Sequence, residues 1–222
     1  METKQKIFFG LLIILSVFFF FFRLGELPLY DYDEAGYAQI IQHTLASDNF
    51  LTLKKSGADF FEKPPLFLWL TMGSVELLGE SEFAMRLPTA LFGVAVIWGV
   101  YLLTFLLTKS RWTALGAGFM LLFSGMFTAS ARQLRLDVPL SAAMIFALYC
   151  FIKGWEKPKW YLGFWAWIAI GFLIKSVPVL LVGPIAIIFS IIYKRWDWFR
   201  SWYFWSGTLL FFSIAAPWHI YE

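Results

Sequence analysis

The sequence predicts an all-α integral membrane protein: a bundle of about seven transmembrane helices, with two further helices lying along the membrane surface in the first outer loop. Three observations lead there. Hydrophobic residues make up 60% of the 222 positions and charged ones 15%, where a soluble domain is about 45–50% apolar and about 25% charged. Apolar stretches approaching the about 20 residues needed to cross a bilayer recur along the chain, at 7–24, 85–107, 112–131, 138–152, 160–174, 177–193 and 202–220. Basic residues gather in alternate connections between them.

Each element has its own justification. Stretch 7–24 follows Lys4 and Lys6 but meets no small-x-small cleavage site before Arg23-Leu24-Gly25-Glu26-Leu27-Pro28, so it reads as a retained first helix and signal anchor. The outer loop, 25–84, holds two amphipathic pieces too short to span, which reads as interfacial helix. Residues 34–46 place Tyr37, Ile40, Ile41 and Leu45 at helical spacing, and 66–78 begins after Pro64-Pro65, a fitting helix start. Between them, Asp48-Asn49-Phe50 and Lys54-Lys55-Ser56-Gly57 read as turn and loop. Stretches 160–174 and 177–193 are separated only by Lys175-Ser176 but together exceed one span, which predicts two helices and a tight turn. Pro178 fits the first turn of the second of these, and Pro184 is expected to kink it.

Seven passes put the N-terminus and the loops near 108–111, 153–159 and 194–201 on one side, with ten basic residues against three acidic. The other side carries eight basic and twelve acidic residues. The positive-inside rule places the first side in the cytoplasm, and Trp155, Trp160, Trp196, Trp198 and Trp202 cluster there as interfacial anchors. The net charge of +3 is small and dispersed, which excludes a nucleic-acid partner. Cys150 is the single cysteine, so no disulfide framework or cysteine metal site arises. P-loop, dinucleotide, HExxH and nucleophile-elbow motifs are all missing from the sequence.

Chemistry concentrates in the outer loop, in Tyr30-Asp31-Tyr32-Asp33-Glu34 and Phe61-Glu62-Lys63-Pro64-Pro65. Ionisable groups beside hydrocarbon are costly unless paired or used. Asp33 and Glu34 read either as a charge pair favouring a helix dipole or as a general base tuned by partial burial. Glu62 and Lys63 form either a surface pair of little energetic value or a rigid presentation of a carboxylate to a metal or acid and of an ammonium to a phosphate, with Phe60, Phe61, Leu66 and Phe67 burying the flanks. On the same side, Arg132-Gln133-Leu134-Arg135-Leu136-Asp137 offers interfacial anchors with an aspartate N-cap, or an anion site in which Arg132 or Arg135 joins Lys63 and Asp137 orients one of them. Lys175 is a further cation there, or snorkels. His43 reads as a surface residue, and His219 as a metal-ligand or substrate candidate.

Together the Asp-Glu pair, Glu-Lys-Pro-Pro and Arg-x-x-Arg-x-Asp resemble the GT-C glycosyltransferases, in particular the aminoarabinose transferases that modify lipid A and the related protein O-mannosyltransferases. The resemblance implies an inverting sugar transfer from a polyprenyl-phosphate donor to a lipid, glycan or protein acceptor on the outer face of a bacterial inner membrane. It implies Asp33, with Glu34 beside it, as the catalytic carboxylate, Lys63 as a donor-phosphate partner supported by Arg132, Arg135 and Lys175, and Tyr37 and Asp137 as further residues of the cavity. It implies Glu62 as a ligand of a divalent metal, for which His219, at the outer end of the last stretch, is a second candidate by position alone. The aminoarabinose pattern carries an arginine where this chain has Gly36. Members of that family continue well beyond 222 residues, with more spans and a soluble domain, so the chain reads as one N-terminal transferase module. Two other classes remain open: a transporter or flippase, which predicts ionisable groups near mid-membrane and broken helices there, and a non-catalytic scaffold or partner subunit.

Overall fold

The computed structural model describes residues 3–29, 32–47 and 49–221, and these are overwhelmingly helical. Helix α1 spans Thr3–Phe21 and is followed by Arg23 in the left-handed region, φ 55°, a terminus that a cation suits because the helix dipole is negative there. In the long connection after α1, residues 25–84, lie α2 (Tyr32–Ala46) and α3 (Leu66–Leu78), close to the bounds expected of the two surface helices. The segment read as loop instead forms a small antiparallel hairpin, β1 (Lys54–Lys55) with β2 (Ala58–Asp59). Ser56 and Gly57 both take positive φ, 52° and 83°, as the two-residue connection matched to strand twist requires.

The remaining helices are α4 (Glu82–Thr108), α5 (Arg111–Leu122), α6 (Gly125–Ala131), α7 (Asp137–Gly154), α8 (Trp160–Ile174), α9 (Ser176–Val179), α10 (Val182–Ile192) and α11 (Trp202–Tyr221). Each apolar stretch found in the sequence is helical, with two revisions. The stretch 112–131 is not one rod: α5 and α6 meet at 70°, and the Thr128 hydroxyl donates to the Leu122 carbonyl freed at the break, 2.6 Å. The stretch 177–193 is interrupted at Leu180-Leu181, four residues before Pro184. Proline lacks the N–H that would bond the carbonyl four residues back, and the Leu180 carbonyl takes the Gly183 N–H instead, 3.0 Å.

Pro88, inside α4, frees the Ala84 carbonyl in the same way. There the buried Ser74 hydroxyl of α3 donates to it, 2.6 Å, so the defect in α4 becomes the joint that holds α3. Close helix approach elsewhere depends on small residues: a Cβ on Gly93 would lie 2.9 Å from that of Ala131, and one on Gly118 2.6 Å from Leu12.

By length and composition α1, α4 and α7 are able to cross a membrane, and the bent α5–α6 pair makes a fourth candidate. Helix α8, at 15 residues, rises only about 22 Å, short of the about 30 Å hydrocarbon thickness. Hydrogen bonds sort the helix termini into two ends. At one, Arg111 of α5 reaches Gln5 of α1, 3.3 Å, and Arg195 after α10 donates to the Trp155 carbonyl after α7, 3.0 Å. At the other, the close of α1, the starts of α2, α4 and α7, the α8–α9 joint and the close of α11 come together, and residues of the 25–84 connection sit among them.

Candidate functional site

Two consecutive carboxylates at the start of α2 have opposite fates. Glu34 turns into the bundle, with its side chain 1% exposed, and meets Arg86 of α4, 4% exposed. Arg86 Nε donates to Glu34 Oε1 at 2.7 Å and Nη2 to Oε2 at 2.9 Å, the paired geometry that a planar guanidinium gives a carboxylate. Arg86 also donates to the carbonyls of Leu24, 3.0 Å, Leu27, 2.6 Å, and Pro28, 3.1 Å. Glu34 Oε1 accepts the Leu134 N–H, 2.9 Å. One buried pair thus ties the close of α1, the start of α2, α4 and the α6–α7 connection. This corrects the expectation that Glu34 stands beside Asp33 as a catalytic carboxylate, because its oxygens are shielded from solvent and hold three donors.

Asp33 is exposed and makes no ion pair among the described residues. Tyr37, one helical turn on, shares its face and is half-buried. Its phenol is pushed up to about 12, first by burial and then by the negative charges of Asp33, Asp137 and Glu62, with Arg135 acting the other way. Burial and nearby anions both favour the neutral hydroxyl. Residues from α2, the Glu-Lys-Pro-Pro segment and the start of α7 thus lie within electrostatic reach of the Tyr37 phenol. Space is open beside them, since a Cβ on Gly36 would meet nothing within 4 Å.

Pro64 and Pro65 are buried and lead into α3, where the Pro65 carbonyl accepts the Trp69 N–H, 2.8 Å. They fix the backbone after Glu62 and Lys63. Phe60 and Phe67 are buried, whereas Phe61 is 42% exposed, so the segment is covered on one flank only. Glu62 is exposed and Lys63 half-buried, and among the described residues neither is paired with the other.

The other expected cations divide. Arg132 donates to the Phe19 and Phe22 carbonyls, 2.5 and 2.8 Å, so it closes the end of α1 rather than facing Tyr37. Burial and then the neighbouring Arg86 lower its pKa. Lys175 Nζ meets Asp137 Oδ1 at 2.8 Å. Asp137 is the first residue of α7, not its cap; Leu136 holds the cap position. Arg135 lies within electrostatic reach of Tyr37. His219 has both ring nitrogens engaged, Nδ1 with the Ala215 carbonyl at 2.8 Å and Nε2 with the Ser176 hydroxyl at 3.3 Å. Among the described residues no group of three His, Cys, Asp or Glu side chains gathers where a metal would sit.

Arg86, which ties the start of α2 to α4 and the close of α1, is not among the residues singled out from the sequence. Its signal was present: an arginine at the second position of an otherwise apolar stretch needs a partner.

The chain matches the family described as dolichyl-phosphate-mannose-protein mannosyltransferase over residues 62–221. A relative from Proteus mirabilis, undecaprenyl phosphate-alpha-4-amino-4-deoxy-L-arabinose arabinosyl transferase 1, is 27% identical over 99% of this chain and 40% of its own length. An uncharacterised Aquifex aeolicus protein is 27% identical over 96% of this chain and 43% of its own. The chain thus spans about two fifths of the curated relatives it matches. The crystal structure of apo ArnT from Cupriavidus metallidurans has the same fold, with a TM-score of 0.83 at 23% identity over 99% of this chain and 42% of that one. The structure of ArnT bound to undecaprenyl phosphate gives 0.83 at 24% identity.

Proposed function

This chain belongs to the dolichyl-phosphate-mannose-protein mannosyltransferase family, and from that premise we propose that it moves a sugar from a polyprenyl-phosphate donor to a hydroxyl acceptor at the outer surface of the membrane. The observation that carries the reading is that Asp33, Glu62, Asp137 and Arg135, from separate segments of the chain, all lie within electrostatic reach of Tyr37, at the bundle end where the Glu-Lys-Pro-Pro segment enters α3. The charge bias of the loops supports placing that end outside, with seven passes and the N-terminus in the cytoplasm. The relatives named as undecaprenyl-phosphate-dependent transferases support the donor class.

Asp33 is the exposed carboxylate free to take a proton. The acceptor oxygen attacks the anomeric carbon from the face opposite the lipid phosphate, and its proton passes to Asp33. The new carbon–oxygen bond forms as the bond to the phosphate oxygen breaks, and the phosphate leaves with the electron pair as a monoester anion. A positioned base contributes about 10²–10⁴-fold. The developing charge on the phosphate calls for fixed cations rather than an acid. Lys63, half-buried and without an ion-pair partner among the described residues, is one, and Arg135 another. Tyr37, held neutral, donates a hydrogen bond to a sugar or phosphate oxygen. Glu34 takes no part in proton transfer; it fixes the first turn of α2 on which Asp33 stands.

The test is transfer from a polyprenyl-phosphate sugar in membranes containing this chain, with Asp33→Asn and Lys63→Ala beside the parent. Loss of about 10²-fold or more in both, with both variants folded, is expected. Full transfer by both would overturn the assignment.

A further inference from the structure

We propose that the cleft between the end of α1 and α6 binds an anionic phospholipid of the surrounding bilayer, its phosphate held by Arg23 and Arg132 and its acyl chain laid along Phe18 and Phe22. The cleft encloses about 570 Å³. A smaller pocket of about 170 Å³ shares Arg23, Leu27 and Arg132 with it and is lined also by Glu34 and Arg86. It shares none of its lining with Asp33, Glu62 or Lys63, so this is a second site, independent of the transfer reaction.

Its chemistry is two-sided. Phe18 and Phe22 stack at 5.0 Å and are 52% and 55% exposed, making an apolar wall one helical turn deep on the membrane-facing side of α1. Above it stand two guanidinium groups and one carboxylate, Glu26, which is tied to Arg23. Arg132 has been drawn partly out of water and given only carbonyl partners; among the described residues no carboxylate pairs with it. Arg86 cannot relieve it, being a like charge already committed to Glu34. An uncompensated, partly desolvated cation is costly, and a phosphate oxygen pair fits a guanidinium fork. The bundle end that holds these arginines is otherwise acidic by count, so the cleft is a cationic exception there. Free phosphate answers the charge but leaves the phenylalanine wall bare; a zwitterionic lipid covers the wall but brings no net negative charge. An anionic phospholipid satisfies both.

Native mass spectrometry of the whole chain, from mixed micelles holding equal phosphatidylglycerol and phosphatidylcholine, tests this. The parent is expected to retain phosphatidylglycerol over phosphatidylcholine, and Arg23→Gln plus Arg132→Gln to bring the two towards parity, each arginine accounting for about a fivefold preference. Lys54→Gln, which removes a cation from the hairpin, should leave the preference intact. Because Arg132 also closes α1, Arg23→Gln alone is read as well: that side chain is exposed, and about a fivefold drop is expected with unfolding temperature unchanged. Equal retention in the parent overturns the proposal, as does a preference that survives in both variants. Displacement of the lipid by millimolar sodium phosphate would also overturn it, by showing an anion site without a lipid wall.

Discussion

Replacing Arg86 by alanine removes five hydrogen bonds at once and leaves Glu34, 1% exposed, as an unpaired buried carboxylate. Breaking a buried pair from one side costs about 3–5 kcal/mol, because the remaining charge is stranded. For a chain of this size each kcal/mol moves the unfolding midpoint by roughly 2–4 °C, so Arg86→Ala should lower it by about 6–20 °C in detergent. Removing both charges with volume kept, Arg86→Met with Glu34→Gln, deletes the stranded charge along with its partner. It should recover at least half of the loss, although the carbonyls of Leu24, Leu27 and Pro28 stay without their donor. The assay is thermal unfolding of the parent, Arg86→Met, Glu34→Gln and the double variant, read as a double-mutant cycle, with Arg86→Ala measured beside them. Additive costs, or an Arg86→Ala midpoint within about 2 °C of the parent, would refute the view that this pair holds the start of α2.

Three further outcomes follow from the same geometry. Tyr37 carries a folded-state pKa raised to about 12 above an ordinary phenol near 10, so the unfolded chain ionises first; the stability this residue contributes is complete below about pH 10 and lost as pH rises through about 12. Midpoints of the parent should therefore fall towards those of Tyr37→Phe across that window, and a constant difference would count against it. Ser74→Ala should cost about 1–3 kcal/mol by stranding the Ala84 carbonyl, but much less in a Pro88→Ala background, where the restored N–H takes that carbonyl; equal costs in both backgrounds would show no coupling. The exposed Asp137–Lys175 pair should be worth only about 0.2–1 kcal/mol by double-mutant cycle and weaken with salt; a value near that of the Arg86 pair would mean the site is more enclosed than its exposure indicates.

What the sequence made legible and what it hid divide along one physical line. Helix positions and the shared end of the outer-loop residues follow from local hydrophobicity and from a charge count over loops, both readable one residue at a time. So does the rigid entry to α3, since two prolines fix their own backbone. The Arg86–Glu34 pair joins residues 52 positions apart, and nothing local names the partner of an arginine. The partners of Arg132 are hidden for the same reason: they are backbone carbonyls at the close of α1, 110 and 113 residues away, and every residue type carries a carbonyl. The break in 112–131 lacks a proline; Ser124-Gly125 and a hydroxyl at Thr128 hint at it, and such signals are common in unbroken membrane helices. The hairpin did have a readable signal, Ser56-Gly57 between short polar runs, but strands of two residues leave no alternation to confirm it.

The division of labour between Asp33 and Glu34 follows from helix geometry. Neighbouring residues on a helix point about 100° apart; if one carboxylate of an adjacent pair is anchored in the bundle, the other is turned towards the rim. Anchoring Glu34 through three donors sets the rotation of the first turn of α2 about its axis. That rotation is shared by Asp33 and, one turn later, by Tyr37. The buried pair thus fixes the aim of an exposed group that makes no strong contact of its own, which suits the base proposed at Asp33, since such a group must stay free to accept a proton. A longer or shorter arm at position 34 should therefore disturb transfer while leaving Asp33 chemically intact. Glu34→Asp retracts the carboxylate by one methylene, and either α2 turns to follow it or the paired bonds to Arg86 lengthen. Transfer measured against pH separates aim from basicity: a misaimed Asp33 lowers the rate at every pH and keeps the shape of the profile, whereas a changed base shifts the acid limb. A shifted limb in Glu34→Asp would place Glu34 in the proton transfer itself and overturn the division.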